Sequence, residues 1–144
     1  MNETQATSPV TASLVASDRR LDFLPTYFGP SLMLRGEAFV YNWMRRLSDD
    51  YDGGFWNFYE LSNGGFYLAP TLPARLWIEV EGNGYDGEMS ADAAGIVATL
   101  FALGQLFASN RASREMDALI DRYHFLREFA MDHAERSEIF QAID

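Results

Sequence analysis

Cysteine is absent from the 144-residue chain. Its absence excludes disulfide bonds, thiolate metal ligands and a cysteine nucleophile, and it is compatible with a reducing compartment. Lysine is absent as well, so arginine supplies all eleven basic side chains. The chain opens without the basic and then apolar pattern of a secretion signal, and we therefore expect a cytoplasmic protein.

Histidine is scarce, and its placement argues against several kinds of catalytic site. His124 and His133 are nine residues apart on or just after one predicted helix, which turns them to opposite sides. They cannot clamp a metal ion together, no serine lies in a GxSxG setting, and no glycine-rich loop precedes a helix with lysine. We therefore expect no catalytic residue, no metal, no cofactor and no enzymatic activity.

Basic residues are few beside the acidic ones, 11 against 21, and the formal net charge is −10. Most of the excess lies between Arg46 and Arg111, where nine acids face only Arg75 and the net charge is −8. A field of this sign repels nucleic acid and anionic membranes, and it attracts basic protein surfaces. The charge pattern therefore predicts a protein partner, without direct binding of nucleic acid or membrane.

The segment from Tyr51 to Met89 predicts two β-hairpins in series. Its aromatic and β-branched runs suit strands, and the Asn-Gly steps at 63–64 and 83–84 suit tight two-residue turns. The predicted strands form a four-stranded antiparallel meander and are Phe55–Leu61, Gly65–Ala69, Arg75–Glu81 and Tyr85–Met89.

Both faces of the first hairpin are apolar. With a two-residue turn, Tyr59 shares a face with Phe66, and Phe58 shares the other face with Tyr67. We expect helices and loops to cover this sheet on both sides.

The second hairpin carries an unusual cluster of acids. Side-chain alternation places four carboxylates on one face, opposite the face of Leu76, Ile78 and Val80. Like charges that face each other destabilise a sheet, so folding alone does not favour this arrangement. These four acids are Glu79, Glu81, Asp86 and Glu88. Further candidates for contact with a partner are Asp49, Asp50, Asp52 and the C-terminal Asp144.

Four interpretations of the carboxylate face remain open. It is a surface for a basic protein partner, or a solvated face that keeps the protein soluble. It is a cation site, because Glu79, Glu81, Asn83 and Gly84 match positions one, three, five and six of a calcium loop, although Ser90 stands at position twelve. Alternatively, the four acids form the site of a small carboxylate-dependent hydrolase.

Helical periodicity and caps predict three main helices, at about 32–48, 91–109 and 113–132, with Ser31, Ser90 and Ser113 as N-caps. Ser137 is expected to cap a short last helix that ends at Ile143, and a turn is expected at 110–112. The second main helix is uncharged from residue 93 to 109, and we expect it to be central and buried rather than membrane-spanning.

The N-terminal part has no clear periodicity. Residues 1–17 are predicted to form a flexible tail, followed by an extended segment to Pro30 whose Leu21, Phe23, Leu24 and Phe28 dock on the core. The chain is thus predicted to fold as a single compact α+β domain over residues 18–144.

Several long blocks resemble the ArdB/KlcA antirestriction family. The resemblance covers about residues 20–144, and its blocks are FLPTYFGP at 23–30, LMLRGEAFVY at 32–41, YDGGFWNFYELSNGGFYLAP at 51–70, GEMSADAAGIVATLFALGQL at 87–106 and LIDRYHFLREFA at 119–130. It implies a compact α+β fold and no catalytic residues. It also implies a small cytoplasmic protein of plasmids and other mobile elements, which protects incoming plasmid or phage DNA by inhibiting host type I restriction-modification endonucleases while sparing modification.

The resemblance makes the host type I restriction-modification complex the expected partner, contacted directly or through a factor that it needs. We expect the protein to be a monomer or a weak homodimer. Duplex DNA carries one charge per roughly 1.7 Å of axis, so an excess of eight charges imitates only about four base pairs. Protein–protein contact is therefore favoured over full DNA mimicry.

Overall fold

The computed structural model describes residues 9–109 and 112–144. Within them the chain forms five β-strands, five α-helices and a single 3-10 turn at Ser17–Arg19. In chain order the elements are β1 (Ala12–Leu14), α1 (Arg20–Tyr27), α2 (Met33–Leu47), β2 (Trp56–Leu61), β3 (Phe66–Pro70), β4 (Leu76–Val80), β5 (Tyr85–Met89), α3 (Ala91–Ser109), α4 (Arg114–Met131) and α5 (Arg136–Ile143). The α+β class is confirmed.

The strands form two antiparallel sheets, one ordered β1-β2-β3 and one made of β4 and β5. The predicted four-stranded meander is wrong in this respect, because the two hairpins belong to different sheets. The first sheet ends at Pro70, and Pro73 lies in the connection to β4. Proline has no N–H to donate to a ladder, so the chain leaves the first sheet here.

The predicted tail is wrong for its last part, because β1 pairs with β2 in the register Ala12↔Leu61 to Leu14↔Tyr59. Val15 follows and is buried. Backbone hydrogen bonds to the open edge of β2 order this segment, and they need no apolar side-chain pattern. The folded domain therefore begins before the predicted boundary at 18. Residues 1–8, and residues 110–111 of the predicted turn, lie outside the described part of the chain.

The segment predicted to be extended forms α1 instead. Phe23 and Phe28 are buried as predicted, whereas Leu21 is 93% exposed. Pro25 lies inside the helix and removes one backbone hydrogen bond. Phe23 and Tyr27, four residues apart, both contact the ring of Phe66, and this aromatic packing offsets the lost bond.

The first hairpin has a three-residue loop, 62–64, in place of the predicted two-residue turn. The N–H of Leu61 donates to the carbonyl of Gly65, and Gly64 has a φ of 98°. Tyr59 therefore lies opposite Tyr67. The predicted faces of this hairpin are wrong, because one extra loop residue shifts the register by one and exchanges the faces.

Coverage of this sheet on both sides is confirmed. On one side, Phe58 and Phe66 contact Phe23 of α1. On the other side, Tyr67 contacts Phe129 of α4 and bonds to Asp92 of α3. All five residues of β3 are buried.

Helix α3 is the central element, and it contacts α2, α4, α5, β3 and β4. It is long and apolar enough to cross a membrane, but 67% of its most apolar window is buried inside the fold. The prediction of a central buried helix is confirmed. The predicted cap by Ser90 is also confirmed, since its hydroxyl accepts a hydrogen bond from the N–H of Ala93 at 3.1 Å.

Of the other three predicted caps, one is confirmed and two are wrong. Ser113 caps α4 by accepting from the N–H of Met116 at 3.0 Å. The Ser31 hydroxyl instead donates to Glu115 at 2.7 Å, and α5 starts at Arg136 without a side-chain cap, so those two predictions are wrong. At Ser31 the tertiary contact with Glu115 replaces the local cap, and at the start of α5 a neighbouring backbone hydrogen bond does so.

Gly95 allows α3 to lie directly on β3. A Cβ at this position would stand 2.4 Å from the carbonyl oxygen of Leu68 and 2.5 Å from Cα of Ala69. Both are backbone atoms of a buried strand, which cannot move without disturbing the sheet. Gly104 lies on the same helix with nothing within 4 Å of such a Cβ.

We expect Gly95→Ala to lower the free energy of unfolding by about 1–3 kcal/mol, because the added methyl group overpacks the α3–β3 contact. Gly104→Ala is the matched control, and we expect it to raise the free energy by about 0.5–1 kcal/mol. Urea denaturation of the two variants and the wild type measures both changes. Equal stability of the two variants would contradict the close approach.

Candidate functional site

Three of the four acids of the second hairpin lie on the face that alternation predicts. Glu79 lies directly opposite Asp86, and Trp77 lies opposite Glu88. These four side chains are exposed, while Leu76, Ile78 and Val80 on the other face are buried. The loop has four residues rather than two and is centred between Gly82 and Asn83 rather than on the predicted Asn83-Gly84 step. The register moves by two residues, so the predicted faces are retained.

Glu81 belongs to this loop and not to the strand. With Glu79 it borders a groove of about 520 Å³ between the hairpin, α2 and α3. The rings of Trp43 and Phe101 stack at 4.6 Å on the helical side of this groove. Arg46 lies over the ring of Trp43 at 4.4 Å. We name the four acids Glu79, Glu81, Asp86 and Glu88 the acidic ribbon.

The acidic ribbon is poorly neutralised. Within the described part of the chain, Glu79 and Glu81 form no ion pair and accept no hydrogen bond. Asp86 accepts from the indole N–H of Trp77 at 2.5 Å. Glu88 lies 3.8 Å from Arg75, and both side chains are at least half exposed, so the pair contributes little.

Asp50 is joined to β4 by a hydrogen bond. Its Oδ2 accepts from the backbone N–H of Trp77 at 2.9 Å, which places the loop after α2 at the outer edge of β4. Asp49 and Asp52 are exposed in the same loop. The structure thus brings a second acidic segment, distant in the sequence, to the edge of the ribbon.

Asn83 joins the hairpin loop to the C-terminal helix. Its amide nitrogen donates to the carbonyl of Ala142 at 2.6 Å, and its amide oxygen accepts from the N–H of Tyr85 at 2.9 Å. The amide thereby satisfies a carbonyl at the end of α5. Asp144, two residues further on, is exposed. An Asn83 engaged in this way is not free to act as the ligand at position five of a calcium loop.

Two other acids of the segment between Arg46 and Arg111 lie away from the acidic ribbon and have hydrogen-bonding partners. Glu60 accepts from Arg19 at 2.7 Å and from the hydroxyl of Tyr27. The hydrogen bond from Arg19 is the main reason that the pKa of Glu60 is lowered. Asp92 is paired with His133. The charge excess on the ribbon side is therefore smaller than the sequence count suggests.

Sequence reasoning missed the network around Asp92. Its Oδ1 accepts from the hydroxyl of Tyr67 at 2.6 Å, and its Oδ2 lies 2.8 Å from Nε2 of His133. Nδ1 of His133 accepts from the N–H of Glu135, so we assign the ring proton to Nε2, which donates to Asp92. Asp92 and His133 are 41 residues apart, and no local pattern links them.

This network shifts two pKa values in opposite directions. Burial, followed by the charge of and hydrogen bond to Asp92, raises the pKa of Tyr67. Burial alone would raise the pKa of Asp92, but hydrogen bonds from His133 and Tyr67 outweigh it, and the pKa lies below its ordinary value. Asp92 thus acts as an ionised acceptor that fastens α3 to β3 and to the segment after α4.

Comparison with known proteins decides the family. A family model described as "Antirestriction protein" matches residues 49–144. One Escherichia coli protein named antirestriction protein KlcA is 68% identical over 94% of this chain and 96% of its own length. A second KlcA from the same species is 62% identical over the full length of both chains.

The chain belongs to the antirestriction protein family. A solved structure from the KlcA and ArdB group of this family is 65% identical, with a TM-score of 0.89, and the match covers 98% of this chain and 99% of that one. It was described as a novel fold with antirestriction activity against type I DNA restriction systems in vivo but not in vitro. The range matched by the antirestriction model includes the whole acidic ribbon and the loop of Asp49, Asp50 and Asp52.

The lowered pKa of Asp92 predicts a pH dependence of stability. An acid of this kind contributes stability above its ordinary pKa of about 4 and loses that contribution as the pH falls through the lower value of the folded state. We therefore expect the free energy of unfolding of wild type to fall more steeply than that of Asp92→Asn between about pH 5 and pH 2.

Urea denaturation at several pH values measures the two slopes. Asp117→Asn, at an exposed position on α4, is the matched control and should keep the wild-type slope. Glu60 loses its contribution in the same range in all three proteins, so only the difference between them is informative. Parallel profiles for wild type and Asp92→Asn would contradict the network.

Proposed function

We propose that this protein protects incoming plasmid or phage DNA from type I restriction, and that the acidic ribbon makes the protein contact responsible. The observation that carries the proposal is the exposed cross-strand pair of Glu79 and Asp86. Like charges at directly opposite positions destabilise a sheet. The presence of Glu79 and Asp86 at these opposite positions is explained if a basic partner surface offsets their repulsion on binding.

The size of the ribbon favours a protein partner over imitation of DNA. A strand of five residues, such as β4, spans about 17 Å. At 3.4 Å per base pair this length corresponds to about five base pairs of duplex. Glu60 and Asp92 are paired elsewhere and add nothing to this surface. The ribbon therefore suits one basic patch rather than a long DNA-binding channel.

The groove beside the ribbon supplies an apolar contact for the same partner. Trp43 and Phe101 form its helical wall, and Glu79 and Glu81 form the opposite border. Interfaces commonly combine a central aromatic contact with charged groups at the rim. A partner segment with arginine or lysine next to an apolar side chain fits both parts.

The activity described for the related protein of known structure supports a partner that is present in the cell. That protein acts against type I systems in vivo but not in vitro. We infer that the ribbon contacts either a host factor or a state of the restriction complex that a purified reaction lacks. The hydrolase hypothesis gains no comparable support, because the four acids line an open face, with Glu81 and Glu88 towards its opposite ends.

We expect the combined variant Glu79→Gln, Glu81→Gln, Asp86→Asn and Glu88→Gln to lose most of its protection. A loss of only about 1.4 kcal/mol in binding weakens a complex tenfold, so we expect at least roughly tenfold less protection. The measurement is the plating efficiency of unmodified phage on cells with and without a type I system. The free energy of unfolding should stay equal or rise, since the repulsion is removed.

The matched control removes four exposed acids from α1, α4 and the segment after α4, and its substitutions are Asp22→Asn, Asp117→Asn, Asp121→Asn and Asp132→Asn. It changes the net charge by the same amount and should protect as wild type does. Single ribbon substitutions should lower protection in steps, whereas a hydrolase would fail after one. Full protection by the four-fold ribbon variant would remove the ribbon from the mechanism.

A further inference from the structure

The molecule also carries a basic pocket, although its net charge is strongly negative. The pocket has a volume of about 340 Å³ and lies between the start of α1, the last turns of α2 and the loop before β2. Two arginines, two glycines and several aromatic rings line it, and the residues that matter here are Arg20, Arg45, Tyr51, Gly53, Gly54 and Phe55.

Arg20 contacts two aromatic rings. Its guanidinium carbon lies 4.4 Å from the centre of the Phe55 ring and 4.1 Å from that of Phe58. The rings occupy no N–H group of the guanidinium, which therefore keeps the fork of donors that can bind two oxygens at once. Arg20 is half-buried, yet none of the described residues accepts a hydrogen bond from it. The neighbouring Arg19, in contrast, is paired with Glu60.

A second cation and two backbone donors lie in the same pocket. Within the described residues, Arg45 bonds only to the amide oxygen of Asn42, at 3.1 Å, and to no carboxylate. Gly53 and Gly54 have φ angles of 104° and 114°, and their N–H groups donate no hydrogen bond in the described part of the chain. A Cβ at either glycine would meet nothing within 4 Å, so the space above them is open.

The tyrosines define the inner wall. The hydroxyl of buried Tyr51 accepts from the indole N–H of Trp56 at 2.9 Å and keeps its own proton free to donate. Tyr41 already donates to Glu37 at 2.9 Å and is therefore occupied. Burial, and then Glu37, raises the pKa of Tyr41, while the charge of Arg20 acts in the opposite direction. Arg20 is thus close enough for its charge to act inside the pocket.

We propose that this pocket binds a single oxyanion, a carboxylate or a phosphate group, at the Arg20 guanidinium. Arg45 supplies the second positive charge, and the N–H groups of Gly53 and Gly54 supply neutral donors. Long polyanions such as duplex DNA are excluded because the molecule as a whole repels them. The site does not depend on the acidic ribbon or on the function proposed for it.

Two probes, inorganic phosphate and acetate, test the site in the purified full-length protein. The measurement is the shift of the amide signals of Gly53 and Gly54 in ¹H–¹⁵N spectra, with ionic strength held constant by sodium chloride. We expect at least one probe to saturate the shift with a dissociation constant of about 1–10 mM, the range of a small ligand bound with roughly 3–4 kcal/mol.

Three variants locate the binding. Arg20→Gln should weaken it at least tenfold, and Arg45→Gln should weaken it several-fold. Arg114→Gln removes the same charge from an exposed position on α4 and should bind as wild type does. Saturation by phosphate alone assigns a phosphate ligand, saturation by acetate alone assigns a carboxylate ligand, and saturation by both assigns a general oxyanion site.

The proposal is overturned if chloride alone produces the shifts, if neither probe saturates, or if Arg20→Gln binds as wild type does. The dispersion of the spectrum reports whether each variant is folded. If Arg20→Gln does not fold, Arg45→Gln decides the question, because this side chain is exposed and its loss leaves the core intact. Unchanged binding by Arg45→Gln then contradicts the site.

Discussion

The contact between α3 and β3 is the constraint on which the rest of the fold depends. Three side-chain positions, one helical turn apart, face the strand: Asp92 bonds to Tyr67, Gly95 allows the backbones to touch, and Thr99 accepts from the N–H of Leu68 at 3.3 Å. The hydroxyl of Thr99 also donates to the carbonyl of Gly95 at 2.8 Å, so this buried polar group is satisfied. The contact fixes α3 against the first sheet, and α2, α4 and α5 pack around α3. Because β5 ends at Met89 and α3 begins at Ala91, the same helix also holds the acidic ribbon in place.

Whether an acid has a close hydrogen-bonding partner follows its structural use. Glu60 and Asp92, which fasten elements together, each have a partner close by. Glu135 accepts from the N–H of Ser90 and lies 3.4 Å from Arg75, so it holds the junction between β5 and α3. The ribbon acids contribute nothing comparable to the fold. Repulsion is thereby concentrated on the acidic ribbon, and this separation is why we propose that a basic partner binds there.

Loop length decides which parts of the strand prediction succeed. Both hairpins contain Asn-Gly, but the first loop has three residues and the second has four. A four-residue loop centred on 82–83 leaves the same register as a two-residue turn there, so the ribbon face was predictable from alternation. A three-residue loop moves the register by one, and the faces of Tyr59 and Phe58 exchange. Strand β1 was not predictable, because pairing with the edge of β2 depends on backbone groups that leave no side-chain pattern.

The polar sites could not be predicted from local sequence patterns, for a different reason. Asp92 and His133, like Arg20 and Phe55, meet only after the chain has folded, and neither pair has a spacing that indicates contact. The sequence resemblance identified the family, whereas alternation along two strands identified the ribbon, and only coordinates reveal the pocket of Arg20. These three sources are independent. Arg20 lies on α1, before the range that the family model matches, while Gly53 to Phe58 lie within it. A pocket built across that boundary joins the N-terminal helix to the antirestriction core, so its ligand would bind both parts at once.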